Sequence, residues 1–210
     1  MKSSAFVCQN CGFETPRWLG RCPACAQWNT LGEEQRITKR GKVNERVRVA
    51  TTGARPIKLN QVESKSARRT STGIGELDRV LGGGLVPGSL LLIGGEPGIG
   101  KSTLTLQVCS KLARTGVKVL YVTGEESAEQ VRLRAERLSA DADSIYILCA
   151  IDLDEILNAA EEIMPGLLVV DSIQTMFSLK LQSAPGSIGQ VREAATQLLF
   201  TAKGHNIPTF

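Results

Sequence analysis

LLLIGGEPGIGKST, residues Leu90 to Thr103, decides how this chain is read. Leu90 to Ile93 predict a short buried strand. A glycine-rich loop follows, and Lys101, Ser102 and Thr103 open a helical pattern that runs on to Ala113. Gly95, Gly100, Lys101 and Ser102 fit the spacing G-x-x-x-x-G-K-[ST], with Glu96, Pro97, Gly98 and Ile99 between the glycines. Glycines let such a loop curl until successive backbone N–H groups point inward at phosphate oxygens. The Lys101 ammonium then reaches the β/γ-phosphates of ATP, the Ser102 hydroxyl ligates Mg²⁺, and the first turn of the helix adds its positive dipole end. Strand before and helix after are the context this phosphate-binding loop (P-loop) requires.

Composition agrees. The chain has 210 residues with 42% hydrophobic and only 4% aromatic content, enough for one α/β domain with its own core and a small satellite. Its formal charge of +4 is unevenly spread: residues 36–69 hold eleven basic and two acidic side chains, a local +9 that leaves the rest at −5. No apolar run reaches membrane-spanning length, and the opening MKSSAFVCQN lacks the apolar heart of a signal peptide. Together with a loop that needs nucleotide, this predicts a cytoplasmic protein without a membrane partner. In that compartment the six cysteines read as thiols or metal ligands, not as disulfides.

Four of them, Cys8, Cys11, Cys22 and Cys25, are spaced C-x2-C-x10-C-x2-C. Each pair suits a tight knuckle turn, and two knuckles supply the four soft ligands of a closed tetrahedral zinc site. A module of this size buries little, so the metal supplies most of its folding energy. Trp18 and Trp28 are expected to cover the site. A pair of redox C-x-x-C motifs is the alternative, but no βαβ pattern lies near them. Residues 1–31 are therefore read as a zinc ribbon, 32–55 as a basic linker, and 56–210 as the main domain. The linker, with Lys39, Arg40, Lys42, Arg46 and Arg48, serves either as a solvated tether or as an electrostatic arm for a phosphate backbone.

The main domain is expected to add an edge strand over Pro56 to Val62 and a short helix carrying Glu76, Leu77, Val80 and Leu81. After the P-loop helix, strands at Val117–Thr123, Ile145–Leu148, Leu167–Val170 and Ile207–Phe210 alternate with helices at Ser127–Leu138, Leu153–Met164 and Ile188–Lys203. This order predicts a parallel sheet with helices on both faces. Cys109 and Cys149 are expected in the core. Functional groups of such sheets collect at the carboxyl ends of the strands. There, LLVVD ends in Asp171, the Walker B position for magnesium, and YVTGEE places Glu125 to activate water at the γ-phosphate. Glu126 is the second candidate, and either glutamate can also serve the dipole of the following helix. Residues 172–189, with Lys180 and Arg192 as nearby cations, are expected to project from this edge.

The cysteine front end, STGIGELDRVLGGG, the P-loop, YVTGEES, VVDSIQTM and SAPGSIGQVREAA together resemble the RadA (Sms) family of bacterial DNA-repair proteins, within the RecA/KaiC superfamily. The resemblance implies a RecA-like fold and a DNA-dependent ATPase. It would work as a homo-hexameric ring on single-stranded and branched DNA, promoting branch migration alongside RecA. It implies ATP bound by Gly95 to Thr103, Mg²⁺ by Ser102 and Asp171, Lys101 and Glu125 as catalytic groups, and Zn²⁺ on the four cysteines. A KaiC-like assembly or signalling ATPase is the alternative. The family's Lys-Asn-Arg-Phe-Gly motif and Lon-like C-terminal domain are not in these residues. The ATPase domain is thus expected to be C-terminally incomplete, with Ile207–Phe210 left as an exposed apolar edge.

Overall fold

The computed structural model describes residues 3–36, 56, 58–61, 69–140, 143–181 and 183–210. The linker cations Lys39 to Arg48 lie outside them. At the front, β1 (Ser3–Cys8) pairs antiparallel with β2 (Glu14–Thr15) and with β3 (Leu31–Arg36), in the order β2-β1-β3. The two cysteine pairs sit on matching turns. Gly12 N donates to Cys8 O and Cys8 N to Phe13 O, both at 2.8 Å; Ala26 N donates to Cys22 O at 2.8 Å and Cys22 N to Gln27 O at 2.9 Å. The buried cluster here is Cys8, Cys22 and Leu31, with Phe6, Phe13 and Cys25 packed against it.

Behind it, β4 (Val119–Thr123) runs parallel to β5 (Ile145–Cys149) on one side and β6 (Leu167–Asp171) on the other. Strand residues alternate between faces, and the core divides accordingly. Val119 and Tyr121 of β4 face α2 (Lys101–Ala113) and α3 (Ala128–Arg137), meeting Leu106, Val108, Cys109, Leu112 and Val131. Leu120 and Val122 face α4 (Leu153–Ile163) and α5 (Ile188–His205), meeting Ile156, Leu157, Ala194 and Leu198. Helices on both faces of a parallel sheet are what the alternating pattern predicted.

Helix starts obey local chemistry. Ser127 and Gln130 form a reciprocal capping box on α3, and Asp152 Oδ1 accepts from Asp154 N at 2.8 Å on α4. The short α1 (Gly75–Val80) is tied to the chain before it by Asp78, which accepts from Ser71 Oγ (2.5 Å), Thr72 N (2.8 Å) and Thr72 Oγ1 (2.7 Å). Its Leu77 joins the core while Val80 faces solvent. Where an edge strand was expected over Pro56 to Val62, the described residues Leu59–Gln61 make one 3-10 turn.

Two expectations about the sheet edge are reversed. Ile207 to Phe210 is no exposed edge: it lies between β6 and the chain leading to the P-loop. Leu168 N donates to Pro208 O (3.0 Å), Phe210 N to Leu168 O (2.9 Å), Leu91 N to Thr209 O and Thr209 N to Ser89 O (both 2.8 Å). Ile207 and Thr209 are consequently buried. Leu90 to Ile93, expected as a buried strand, forms one bridge to Thr209 and is the open side of the array among the described residues, with Leu92 84% exposed. Apolar sequence marked both segments as strand-like, but which of them lies outside depends on pairing between segments over a hundred residues apart. Cys149 is also exposed, because β5 is the opposite outer strand.

Candidate active site and metal centre

The loop from Gly94 to Gly100 is exposed and turns into α2 at Gly100, whose φ of 104° lies in the left-handed region open to glycine. The first turn of α2 has neither a side-chain cap nor an acidic residue, so its N–H groups and dipole end stay available to an anion. A Cβ built on Gly98 or Gly100 would meet nothing within 4 Å, so the space before these backbone groups is open. Lys101 arches back over the loop, its Nζ donating to Gly95 O (2.8 Å) and Glu96 O (2.9 Å). Ser102 and Thr103 follow, half-buried in the first turn. Glu96, Pro97 and Ile99 are exposed on the loop. This donor set fits a nucleotide phosphate.

Asp171 ends β6 opposite Thr123 of β4. Its Oδ2 accepts a 2.6 Å hydrogen bond from the hydroxyl of Tyr121, a residue that is wholly buried. Burial pushes the Tyr121 hydroxyl's pKa far up and the adjoining Asp171 carboxylate pushes it further, so the group remains a donor. One residue on, Ser172 Oγ donates to Glu125 Oε1 at 2.7 Å. The ends of β4 and β6 are thereby joined twice, once through each carboxylate. Glu126 is differently placed: Arg134 of α3 pairs with its carboxylate in a largely buried ion pair. The Thr123 hydroxyl accepts from the backbone N–H groups of Glu125 (3.3 Å) and Glu126 (3.0 Å). Gly124 allows this crowding, since a Cβ there would lie 2.9 Å from Thr175 Cβ. Beside Glu125 a cleft of about 380 Å³ opens between the ends of β4 and β5.

The structure thus gathers Asp171 and Glu125 and separates Glu126 from them, while Lys101 makes its contacts within its own loop. Sequence reading missed Tyr121, Ser172 and Arg134. Tyr121 carried a signal, because a hydroxyl inside an apolar strand needs a buried acceptor. The segment after Ser172, expected to project, is anchored at its buried residues, with Leu179 and residues 184–186 exposed between them. Buried Gln190 accepts from Ser178 N (2.8 Å) and donates to Ser183 O (2.9 Å), and Phe177 N donates to Ile151 O (2.7 Å). Lys180 pairs with Asp154 at 2.8 Å, and Arg192 lies 3.9 Å from Glu14 of the front module.

In that module the four sulfurs of Cys8, Cys11, Cys22 and Cys25 lie within 4.8 Å of one another, with Cys8–Cys25 and Cys11–Cys22 both at 3.6 Å. Tetrahedral Zn–S bonds of about 2.3 Å put sulfurs about 3.8 Å apart, so the cluster fits such an ion. Burial alone would raise the Cys8 thiol, but the Thr30 hydroxyl 3.2 Å away and the backbone of Cys11 and Asn10 outweigh it and bring it to about 6. Cys11 goes up to about 12, its hydrogen bond from the Phe13 backbone outweighed by burial and by the three neighbouring sulfurs. Trp18 and Trp28 do not cover this centre: they are 56% and 68% exposed.

Comparison with known proteins finds matches over both regions. The KaiC ATPase family model matches residues 70–160, and a zinc-ribbon model described as a rubredoxin metal-binding domain matches residues 6–33. A solved KaiC-like protein from Pyrococcus horikoshii superposes with a TM-score of 0.56 at 25% identity, covering 68% of this chain and 70% of its own. The fold and loop are those of a KaiC-like P-loop ATPase, here set behind a four-cysteine ribbon. More specifically, the DNA repair proteins RadA of Bacillus subtilis and Streptococcus pyogenes are 46% and 49% identical to it, over 99% and 100% of the chain but 45% and 46% of their own lengths. The chain spans about half the length of these curated relatives, and it is similar to them over that span.

Proposed function

We propose that this chain carries the ATP-hydrolysing core of a DNA-repair motor of the RadA kind, acting in the cytoplasm on single-stranded and branched DNA. In this reading the zinc ribbon runs to the end of β3 at Arg36, past the boundary expected at residue 31, because β3 pairs with β1 along its whole length; a basic linker follows to residue 55, and 56–210 are the ATPase domain. The observation that carries it is the meeting of Asp171 and Glu125 at one sheet edge, on hydrogen bonds from Tyr121 and Ser172, in a chain with a complete P-loop.

Gly95 to Thr103 bind the ATP phosphates, with Lys101 leaving its loop carbonyls for the β/γ-phosphates. Ser102 and Asp171 hold Mg²⁺, which when bound offsets the charge on the phosphates. Glu125 takes the proton of the attacking water, and Ser172 orients its carboxylate. Glu126, neutralised by Arg134, holds the start of α3 instead. Zn²⁺ fills the four-cysteine centre. Branch migration with RecA and a hexameric ring extend the same reading.

ATP turnover with and without single-stranded DNA, across salt concentrations, tests it. Lys101→Ala is expected to remove turnover and keep the helical circular dichroism, and Glu125→Gln to cost far more than Glu126→Gln. Turnover at the wild-type rate in Lys101→Ala would overturn the assignment.

A further inference from the structure

The front module leaves its two largest apolar side chains in water. Trp18 and Trp28 are more than half exposed, while the module's buried cluster is made of cysteines, Leu31 and two phenylalanines. A small module that folds around a metal and withholds its tryptophans from the core holds them for another contact. The two indoles converge on Gly20: a Cβ there would lie 3.6 Å from Trp18 Cη2 and 3.7 Å from Trp28 Cζ3. They form one surface with a bare floor. Arg21 is fixed beside it, its Nε donating to Ala26 O at 2.9 Å and its guanidinium 5.8 Å from the centroid of the Trp28 ring. Arg21 and Trp28 also form the antiparallel bridge that closes the second cysteine turn, so the platform is held by the metal knuckle itself. Arg17 is exposed next to Trp18, and Glu14 lies 3.9 Å from Arg192.

We propose that Trp18 and Trp28, flanked by Arg17 and Arg21, form a stacking site for unpaired bases of single-stranded nucleic acid. Aromatic faces take any base through its π-surface, and the arginines supply phosphate contact and cation–π support. The flanking cations favour a polyanion over an apolar protein surface. The proposal rests on the DNA-acting reading above and gives it a particular contact on the ribbon.

Trp18 and Trp28 are the chain's two tryptophans, so intrinsic emission reads this surface alone. The zinc-loaded full chain is titrated with a labelled single-stranded oligothymidylate and, separately, with an abasic deoxyribose-phosphate strand of equal length. Anisotropy of the label reports binding anywhere on the chain, and emission reports the platform. Quenching by oligothymidylate without quenching by the abasic strand is expected. Trp18→Ala and Trp28→Ala are each expected to weaken binding by about 5- to 150-fold, Trp28→Phe to recover most of the loss, and Arg21→Gln to lower the salt slope by about 0.7. Each variant is checked for one zinc per chain, and the quenching arm needs no variant at all. Strand binding without quenching, at an affinity both alanine variants share, would overturn the proposal, send DNA elsewhere on the chain and leave this face to a protein partner. The DNA-acting reading would survive that result. Anisotropy showing no binding would overturn both.

Discussion

The ribbon and the sheet are stabilised in opposite ways. In the parallel sheet, β4 is buried from Val119 to Thr123 and separates two apolar cores, each covered by helices. In the ribbon, two of the three cluster residues are cysteines and the tryptophans lie outside. One region is held by apolar area removed from water; the other has little such area, and its four gathered cysteines suit metal–thiolate bonds in its place. Sequence similarity runs through both, yet their responses to temperature, chelator and acid should differ, because different physics holds each.

Metal removal is the largest expected effect and the most direct way to break this contrast. A strong chelator should unfold the ribbon and leave the sheet folded. The probes are segregated in space: both tryptophans sit in the ribbon, and every α-helix among the described residues belongs to the other region. The tryptophan-emission change, small in size because both side chains are already more than half exposed, should be complete on chelation while helical circular dichroism and the main thermal transition stay in place. Loss of helix in parallel with emission would show the two regions to be one cooperative unit, joined where Arg192 of α5 reaches Glu14 and lies over Gly12.

What the sequence revealed divides along the same line. The glycine loop turning into a helix, Asp171 at a strand end and the gathering of the four cysteines were legible because each depends on spacing within a few residues, where backbone geometry fixes the outcome. The alternation of strands and helices was legible for the same reason. Hidden were the features that depend on pairing between distant segments. Thr209 lies between Leu168 and Leu90, and no local pattern says so. Tyr121 reaches Asp171 because β4 and β6 run parallel with Thr123 opposite Asp171, a register that neither strand states alone. The tryptophans misled because apolar character was taken to mean burial. In a module this small the clustered cysteines and Leu31 already fill the inside.

The middle-sized prediction sharpens the contrast within the sheet, where a polar contact sits among apolar ones. Tyr121→Phe keeps the ring in the core and deletes the hydroxyl that donates to Asp171 Oδ2. The loss should be about 1–2 kcal/mol of stability, read as a lower denaturant midpoint at unchanged slope. ATP turnover should also need more Mg²⁺, because Asp171 loses the bond that orients it. An unchanged midpoint with an unchanged Mg²⁺ requirement would mean that Asp171 is held by its strand alone.

The smallest expected effect lies at Asp78, where the sheet region depends on charge. Hydrogen bonding from the Ser71 hydroxyl, followed by the Thr72 backbone and hydroxyl outweighing burial, holds this carboxylate's pKa below 3.8. A carboxylate whose pKa is lower folded than unfolded adds stability above its unfolded pKa and loses it as pH falls through the folded one. Asp78→Asn keeps the shape but loses the charged acceptor, at a cost on the order of 1 kcal/mol near neutrality. The gap between variant and parent should hold from pH 7 to about 5 and close as pH falls through the lowered folded pKa. The pairing of Thr70 with Leu85 follows directly on this contact, at 2.9 Å from Thr70 N to Leu85 O, so amide exchange at Thr70 should quicken in the variant. A gap that persists undiminished into acid would place the cost of the substitution in packing rather than in the charged hydrogen bonds. The sheet region would then be as indifferent to acid as its apolar cores imply.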